Sequence, residues 1–339
     1  MSDQEPTVLG SPVRSLTGVR IVGTGSCLPD NVVTNEDLAA LGHDSDWIVR
    51  RTGIRERRHV TPCMSTGDLA VGAAEKAIEA AGVPRSEIDL VVLATLSPDK
   101  LMPATATAVQ HRLGLRCGAV DVSAACSGFT YALATGMQFV ATGASRCVLV
   151  IGADANSRVV DPRDDKTYPL FGDGAGAVVL APGEEDQGAV AFTLGADGSG
   201  IDLLARPTGG AETPFAVDRP DDGSWFMQMD GRAVFKWAVR LVEHSARHVC
   251  DGGGIAPGDV RWWLLHQANS RILDAAVEGL GIDHERVLMH LDRYGNTSAG
   301  TVPILLDEAV REGRVSRGDL LMMMGFGAGL TWGTIAWRW

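Results

Sequence analysis

The chain has 339 residues, 45% of them hydrophobic and 21% charged, with a formal net charge of −12. That length suits one large or two medium domains, and the acidic balance argues against nonspecific binding to nucleic acid or to an anionic membrane. No apolar run approaches the roughly 18–20 residues needed to span a bilayer, and the N-terminus lacks the basic-then-apolar pattern of a signal peptide.

In chain order, residues 1–16 are polar with two prolines and read as a disordered leader. Strand and helix patterns then alternate, which predicts an α/β class. Predicted helices span residues 66–81, 127–142, 232–250, 270–280 and 303–312. Predicted strands span 90–95, 147–151, 177–180, 262–265 and 320–324. The stretch 126–142 holds no charged residue, and its apolar side chains point all round. A helix of that kind is predicted to be buried between other layers.

Two stretches share one plan. Helix, "SEIDLVVLATLSP", helix, "VDVSAACSGFTYAL" and "CVLVIGAD" in the first match helix, "GDVRWWLLHQAN", helix, "RYGNTSAGTVPILL" and "LLMMMGFGAG" in the second. With Ala94 set opposite His266, Gly128 and Gly300 both lie 34 residues further on. The inference is an internal duplication: a first half over 17–185 and a second over 186–339, divided at the polar segment "PGEEDQG".

The six cysteines form no CxxC pair and no zinc-site spacing with histidine. Scattered cysteines without a signal peptide suggest free thiols in a reducing cytoplasm, and no metal site is expected. Cys126 is singular because it stands where a strand and turn give way to the buried helix. The positive end of a helix dipole favours a thiolate there, and a thiolate is the form that accepts acyl groups from thioesters. Alone, "CSG" is a weak signal against a plain core cysteine. His266 ends the strand 262–265, the sheet edge where α/β enzymes place their sites. Asn296 lies in a glycine-rich turn, where ordinary turn chemistry is the bland alternative. The duplication places the Cys126 helix start and the Asn296 turn at matching positions, so a pseudo-twofold is expected to bring them and His266 together.

At these residues the chain resembles the β-ketoacyl-acyl-carrier-protein synthase III family. The resemblance runs from about Val19 to Trp339 through "IVGTGSCLPDNVVTNEDL", "DWIVRRTGIRERR", "DVSAACSGFTYAL", "FGDGAGAVVL", "HQANSRI", "YGNTSAGTVP" and "GFGAGLTWG". It implies a thiolase-like five-layer αβαβα fold, a homodimer, and a catalytic Cys126, His266 and Asn296. It implies acyl transfer from acyl-CoA to Cys126, then decarboxylative condensation with malonyl-acyl-carrier protein. A specialised primer synthase or acyltransferase of a secondary pathway is the alternative. Acyl-CoA and acyl carrier protein are then substrates, and no cofactor is implied. The backbone N–H groups of Cys126 and Ala328 are expected to form an oxyanion hole.

By the same resemblance Trp47 stacks on the CoA adenine, Arg51 and Thr52 line the tunnel mouth, and Asn269 bonds the pantetheine arm. "DWIVRRTGIRERR" holds five arginines in nine residues, otherwise a solvated basic face. Met102, Phe171, Leu204, Met229 and Phe235 are expected around the acyl pocket, Met102 from the other subunit. Arg232, Lys236 and Arg271 are the expected carrier-protein docking charges. Two positions depart from the family pattern. Asp165 stands where many members carry an arginine, so Lys166 or Arg163 is expected to substitute, or a carrier-protein thioester to replace CoA as donor. Glu278 and Gly279 stand where the family often has a lysine pair. The glycine runs "GTGSCLP" and "GDGAGA" are read as backbone packing rather than phosphate loops.

Overall fold

The structure is a computed structural model; it describes residues 11–216 and 223–339. Its strands are β1 (Arg14–Thr17), β2 (Val19–Cys27), β3 (Val32–Thr34), β4 (Glu56–Arg58), β5 (Ile88–Ala94), β6 (Gly118–Val122), β7 (Cys147–Asp154), β8 (Gly174–Pro182), β9 (Gly188–Ala196), β10 (Leu204–Ala205), β11 (Gln228–Met229), β12 (Trp262–Leu265), β13 (Leu320–Gly327) and β14 (Thr331–Arg338). The α-helices are α1 (Ser45–Thr52), α2 (Thr66–Ala81), α3 (Thr105–Arg112), α4 (Gly128–Ala141), α5 (Gly231–Gly253), α6 (Ser270–Leu280), α7 (Leu291–Tyr294) and α8 (Thr301–Arg311).

Two five-stranded sheets carry the fold, ordered β2-β8-β7-β5-β6 and β1-β9-β14-β13-β12. Apart from β1, they repeat one topology: β2, β8, β7 and β5 correspond to β9, β14, β13 and β12. Where the first sheet continues to β6, the second has only a parallel bridge between Trp263 and Val287. Helices α4 and α8 lie between the sheets, α2 and α3 outside the first, α5 and α6 outside the second. The apolar clusters follow these five layers. Phe129, Leu133, Met137, Leu305 and Met323 meet in the central one, Leu69, Val91 and Leu149 in one outer layer, Leu241, Trp263 and Met322 in the other.

The local sequence explains the helix ends. Ser65 and Asp68 form a capping box at the start of α2, and Gly82 closes it in the left-handed conformation. The Asp230 side chain accepts from the Ala233 N–H at the start of α5, as Asn269 does from Arg271 at α6. The glycine runs pack backbone on backbone. A Cβ at Gly25 would stand 2.4 Å from the Ala73 carbonyl oxygen in α2, and one at Gly176 would stand 2.6 Å from the Pro303 carbonyl carbon in α8.

Three expectations change. The leader reading covers residues 1–16; residues 1–10 lie outside the described residues, but Arg14–Thr17 form β1. That strand pairs antiparallel with β9 and so joins the sheet of the opposite half. The central helix is less uniformly buried than its composition implies, since Phe139 near its end is 41% exposed. The duplication register also moves by one residue. Gly152 of β7 lies 24 residues beyond the start of α4, and Gly325 of β13 lies 24 beyond the start of α8. Gly128 therefore corresponds to Thr301 and Cys126 to Ala299, the extra residue being taken up ahead of α8.

Candidate active site

The turn that carries Cys126 is strained and tightly held. Ala125 sits at φ +46°, in the left-handed region that non-glycine residues rarely adopt. Such a conformation costs on the order of 1–3 kcal/mol and persists only where its surroundings enforce it. Here the Ser127 hydroxyl donates to the Ala124 carbonyl at 2.7 Å, and Thr331 Oγ1 lies 2.8 Å from Ser127 Oγ and 3.1 Å from the same carbonyl. The symmetry-related turn is strained in the same way, with Ser298 at φ +52°. The two turns pack across the pseudo-twofold against each other's central strands. A Cβ on Gly152 would come 2.2 Å from the Ala299 carbonyl oxygen, and one on Gly325 would come 2.8 Å from the Ser127 Cα.

Two cavities share Cys126. One, of about 100 Å³, is lined by Cys126, His266, Asn296, Asn269, Phe326 and Phe235 among others. The other, of about 120 Å³, is almost wholly apolar and is lined by Cys126, Leu96, Val159, Leu204, Met227 and Ala328 among others. The three residues expected to act together therefore line one space, and the thiol stands at its junction with the apolar pocket.

Each of the three is held by the backbone around it. His266 follows the last residue of β12, and its N–H donates to the Met324 carbonyl at 2.8 Å. The imidazole is buried, its Nδ1 has no partner, and it meets Phe326 edge-on at 5.1 Å. The Asn296 N–H donates to the Leu170 carbonyl at 2.8 Å, and its own carbonyl accepts from Gly172 at 3.0 Å. Its side-chain Oδ1 accepts from the Ser298 N–H at 2.8 Å, which leaves Nδ2 as the free donor. Asp154 ties the halves together: its carboxylate accepts from Thr95 Oγ1 at 2.9 Å and from the Ala299 N–H at 3.1 Å.

Burial decides the protonation states. It pushes the Cys126 thiol up to about 12; the Ser298 hydroxyl beside it offsets part of this, and the Asp154 carboxylate adds to it. Burial, aided by His290, takes His266 down to about 3. The resting pair is thus neutral thiol and neutral imidazole. The helix start predicted a thiolate, but in the closed site desolvation outweighs the dipole.

The remaining expected residues divide. Phe171 and Leu204 line both cavities; Met229 and Phe235 line the one that holds His266, not the apolar pocket beyond Cys126. Met102 lines neither and is 81% exposed in the single chain. Thr52 is buried, its hydroxyl donating to the Ile48 carbonyl at 2.7 Å and accepting from the Ile54 N–H at 3.0 Å, so it braces the end of α1. Asn269 lines the same cavity as His266 while its side chain caps α6 and donates to the Arg51 carbonyl at 3.1 Å. Ala328 follows β13, its carbonyl held by Thr331 at 2.9 Å. Arg232, Lys236 and Arg271 are all exposed on α5 and α6, with Arg271 lying 5.2 Å over the Phe235 ring. Arg163 is committed to Asp161, and Asp165 meets His43. Sequence reading missed Ser298, Met227, Leu96 and His43. Only Ser298 had a visible signal, two residues beyond Asn296 in the same turn.

Two copies of one α/β unit face each other across their helix starts. The first supplies a buried cysteine, the second an imidazole and an amide, and that is the plan of the thiolase-fold condensing enzymes. Family models agree: "3-Oxoacyl-[acyl-carrier-protein (ACP)] synthase III" matches residues 120–198 and its C-terminal counterpart matches 250–339. The β-ketoacyl-[acyl-carrier-protein] synthase III of Rhodopirellula baltica is 51% identical, covering 96% of this chain and 99% of its own. The solved 3-oxoacyl-[acyl-carrier-protein] synthase III of Aquifex aeolicus matches with a TM-score of 0.87 and 42% identity, covering 95% of this chain and 100% of that one. The priming β-ketosynthase of the R1128 polyketide pathway matches with a TM-score of 0.87 and 36% identity, over 97% and 98% of the two chains. This chain belongs to the β-ketoacyl-acyl-carrier-protein synthase III family, and it is a condensing acyltransferase.

Proposed function

We propose that the chain transfers an acyl group from an acyl thioester, carried on CoA or on acyl carrier protein, to Cys126 and condenses it with malonyl-acyl-carrier protein to start fatty-acid synthesis. The observation that carries this reading is the shared cavity of Cys126, His266 and Asn296, opening at the thiol into an apolar pocket.

In the first half-reaction the Cys126 sulfur attacks the thioester carbonyl, the bond to the departing thiol breaks, and the cysteine proton ends on that thiol. Because the thiol is held as a neutral group, proton loss accompanies attack. The start of α4 and the N–H groups of Cys126 and Ala328 meet the charge that develops. The acyl chain lies in the pocket of Leu204, Val159 and Met227. In the second half-reaction malonyl thioester loses carbon dioxide, and His266 and the Asn296 Nδ2 donate to the enolate oxygen. A neutral imidazole is suited to that, since its Nε2–H donates without a proton being taken up. The enolate carbon attacks the acyl-cysteine carbonyl, the bond from that carbon to the Cys126 sulfur breaks, and the released thiolate takes one proton from solvent to restore the thiol.

Two copies are proposed to pair through the free edge of β6. The free thiols of the six cysteines fit a reducing cytoplasm. A second reading, a primer synthase of a secondary pathway, is favoured by Asp165 and by the likeness to the polyketide-priming enzyme.

Intact-protein mass after mixing with acetyl-CoA and longer acyl-CoAs tests the nucleophile. One added acyl group is expected on the wild type and none on Cys126→Ala. Carbon dioxide release from malonyl-acyl-carrier protein tests the acyltransferase form of the second reading, since an enzyme that passes the acyl group elsewhere without condensation releases none.

A further inference from the structure

Trp47 sits in α1, one turn before Arg51, whose carbonyl is held by Asn269 at the wall of the cavity that holds His266. An indole beside exposed Arg50 and Arg51, at the approach to a thioester site, suits the purine and phosphates of a nucleotide-bearing donor. That platform is already covered. The His43 ring stacks on Trp47 with centroids 3.7 Å apart and planes 10° from parallel. A base cannot enter a gap of that width, because the two rings are already in van der Waals contact. The imidazole is held at its edge, with Nε2 lying 3.1 Å from the Asp165 carboxylate. The Arg51 guanidinium lies 5.2 Å from the same indole. Asp165 also adds negative charge where a nucleotide would bring its phosphates.

We propose that His43, held by Asp165, is a specificity-determining residue that shuts the Trp47 platform against the adenine of CoA. The enzyme then recognises its donor by the phosphopantetheine arm alone, the part common to CoA and to acyl carrier protein. The proposal rests on the acyl-thioester reading above and names the donor class that reading leaves open. Adenine has to displace His43 and break its contact with Asp165, so stacking adds little net affinity. A donor carried on acyl carrier protein has no base and loses nothing.

The test is equilibrium binding of CoA and of 4′-phosphopantetheine, which needs no chemistry at Cys126 and so stands or falls apart from the acylation assay. Stacking a base on an aromatic ring is worth about tenfold or more in affinity. His43→Ala is expected to tighten CoA binding by about that factor and to leave phosphopantetheine within about twofold. Adding Trp47→Ala to His43→Ala should erase the gain. Asp165→Ala, which unpins the ring without removing it, should move CoA affinity the same way by less, and serves if His43→Ala folds poorly. CoA binding that is unchanged or weakened in both single variants would overturn the proposal, since His43 would then be a bystander or part of the adenine site.

Discussion

At the residue scale the site is governed by burial. A thiol pushed up to about 12 is protonated throughout the working range, and its thiolate fraction rises tenfold for each pH unit below that value. Alkylation of Cys126 by iodoacetamide in the ligand-free enzyme should therefore rise about tenfold per unit from pH 6 to 9 with no plateau. A titration that levels off near neutrality would mean that the helix start prevails over desolvation. Asn296 makes a separate prediction. Its Oδ1 is taken by the Ser298 N–H, so its contribution is the Nδ2 donor. Asn296→Ala should leave acyl-enzyme formation nearly intact by mass while lowering decarboxylation by about 100-fold or more, the usual cost of one oxyanion donor. Equal losses in both half-reactions would show that the side chain braces the turn instead. Cys126, His266 and Asn296 were readable as candidates because each combines a chemical type with a position (helix start, strand end, matching turn), and the family resemblance set them above their bland readings. Ser298 and His43 were not, since a serine in a turn and a histidine in a loop carry no signal until the fold sets something against them. Met102 lines no cavity within one chain, and sequence cannot say what an exposed side chain meets.

At the element scale the two turns are kept in place by glycines of the opposite half's central strand. Gly152→Ala puts a Cβ 2.2 Å from the Ala299 carbonyl oxygen, which is backbone and cannot swing aside. Gly136→Ala in α4 presses on side-chain methyls rather than backbone, the nearest being Val150 Cγ2 at 2.7 Å, and alanine recovers roughly 1 kcal/mol of helix propensity against that contact. Calorimetry should find Gly152→Ala destabilised by about 2 kcal/mol or more and Gly136→Ala within about 1 kcal/mol of wild type. The reverse order would mean that the interface between the turns is soft. The strands and helices that build this interface were readable from apolar runs and from caps such as Ser65. Their mutual register was readable only to one residue, because an insertion in the loop ahead of α8 leaves the hydrophobic pattern on both sides unchanged. β1 was not readable at all. "RSLT" is a four-residue strand whose pairing with β9 lies far along the chain, and neither propensity nor alternation marks it.

At the scale of the whole molecule, the asymmetry between the two sheets points to how copies meet. In the second half, the position equivalent to β6 is reduced to one bridge at Val287. In the first half β6 is a full strand, hydrogen-bonded to β5 on one side and to nothing among the described residues on the other. Val120 on it is 44% exposed, and Leu101 and Met102 nearby exceed 80%. An unpaired strand edge beside exposed apolar side chains invites pairing with another chain unless charge or proline guards it, and "GAVDV" has one acidic residue and no proline. On the proposal that two copies pair, a twofold would set the β6 edge of one against the β6 edge of the other and cover the apolar loop, closing that edge in both copies. Light scattering at micromolar concentration should give twice the 35.8 kDa chain mass for the wild type. Val120→Lys places a charge in the seam and should shift the population toward monomer, with acylation falling in parallel if Met102 of one copy completes the other's pocket. A wild-type protein that scatters as a single chain would remove the dimer, and a monomeric Val120→Lys variant with undiminished acylation would keep the dimer while denying it a part in the site.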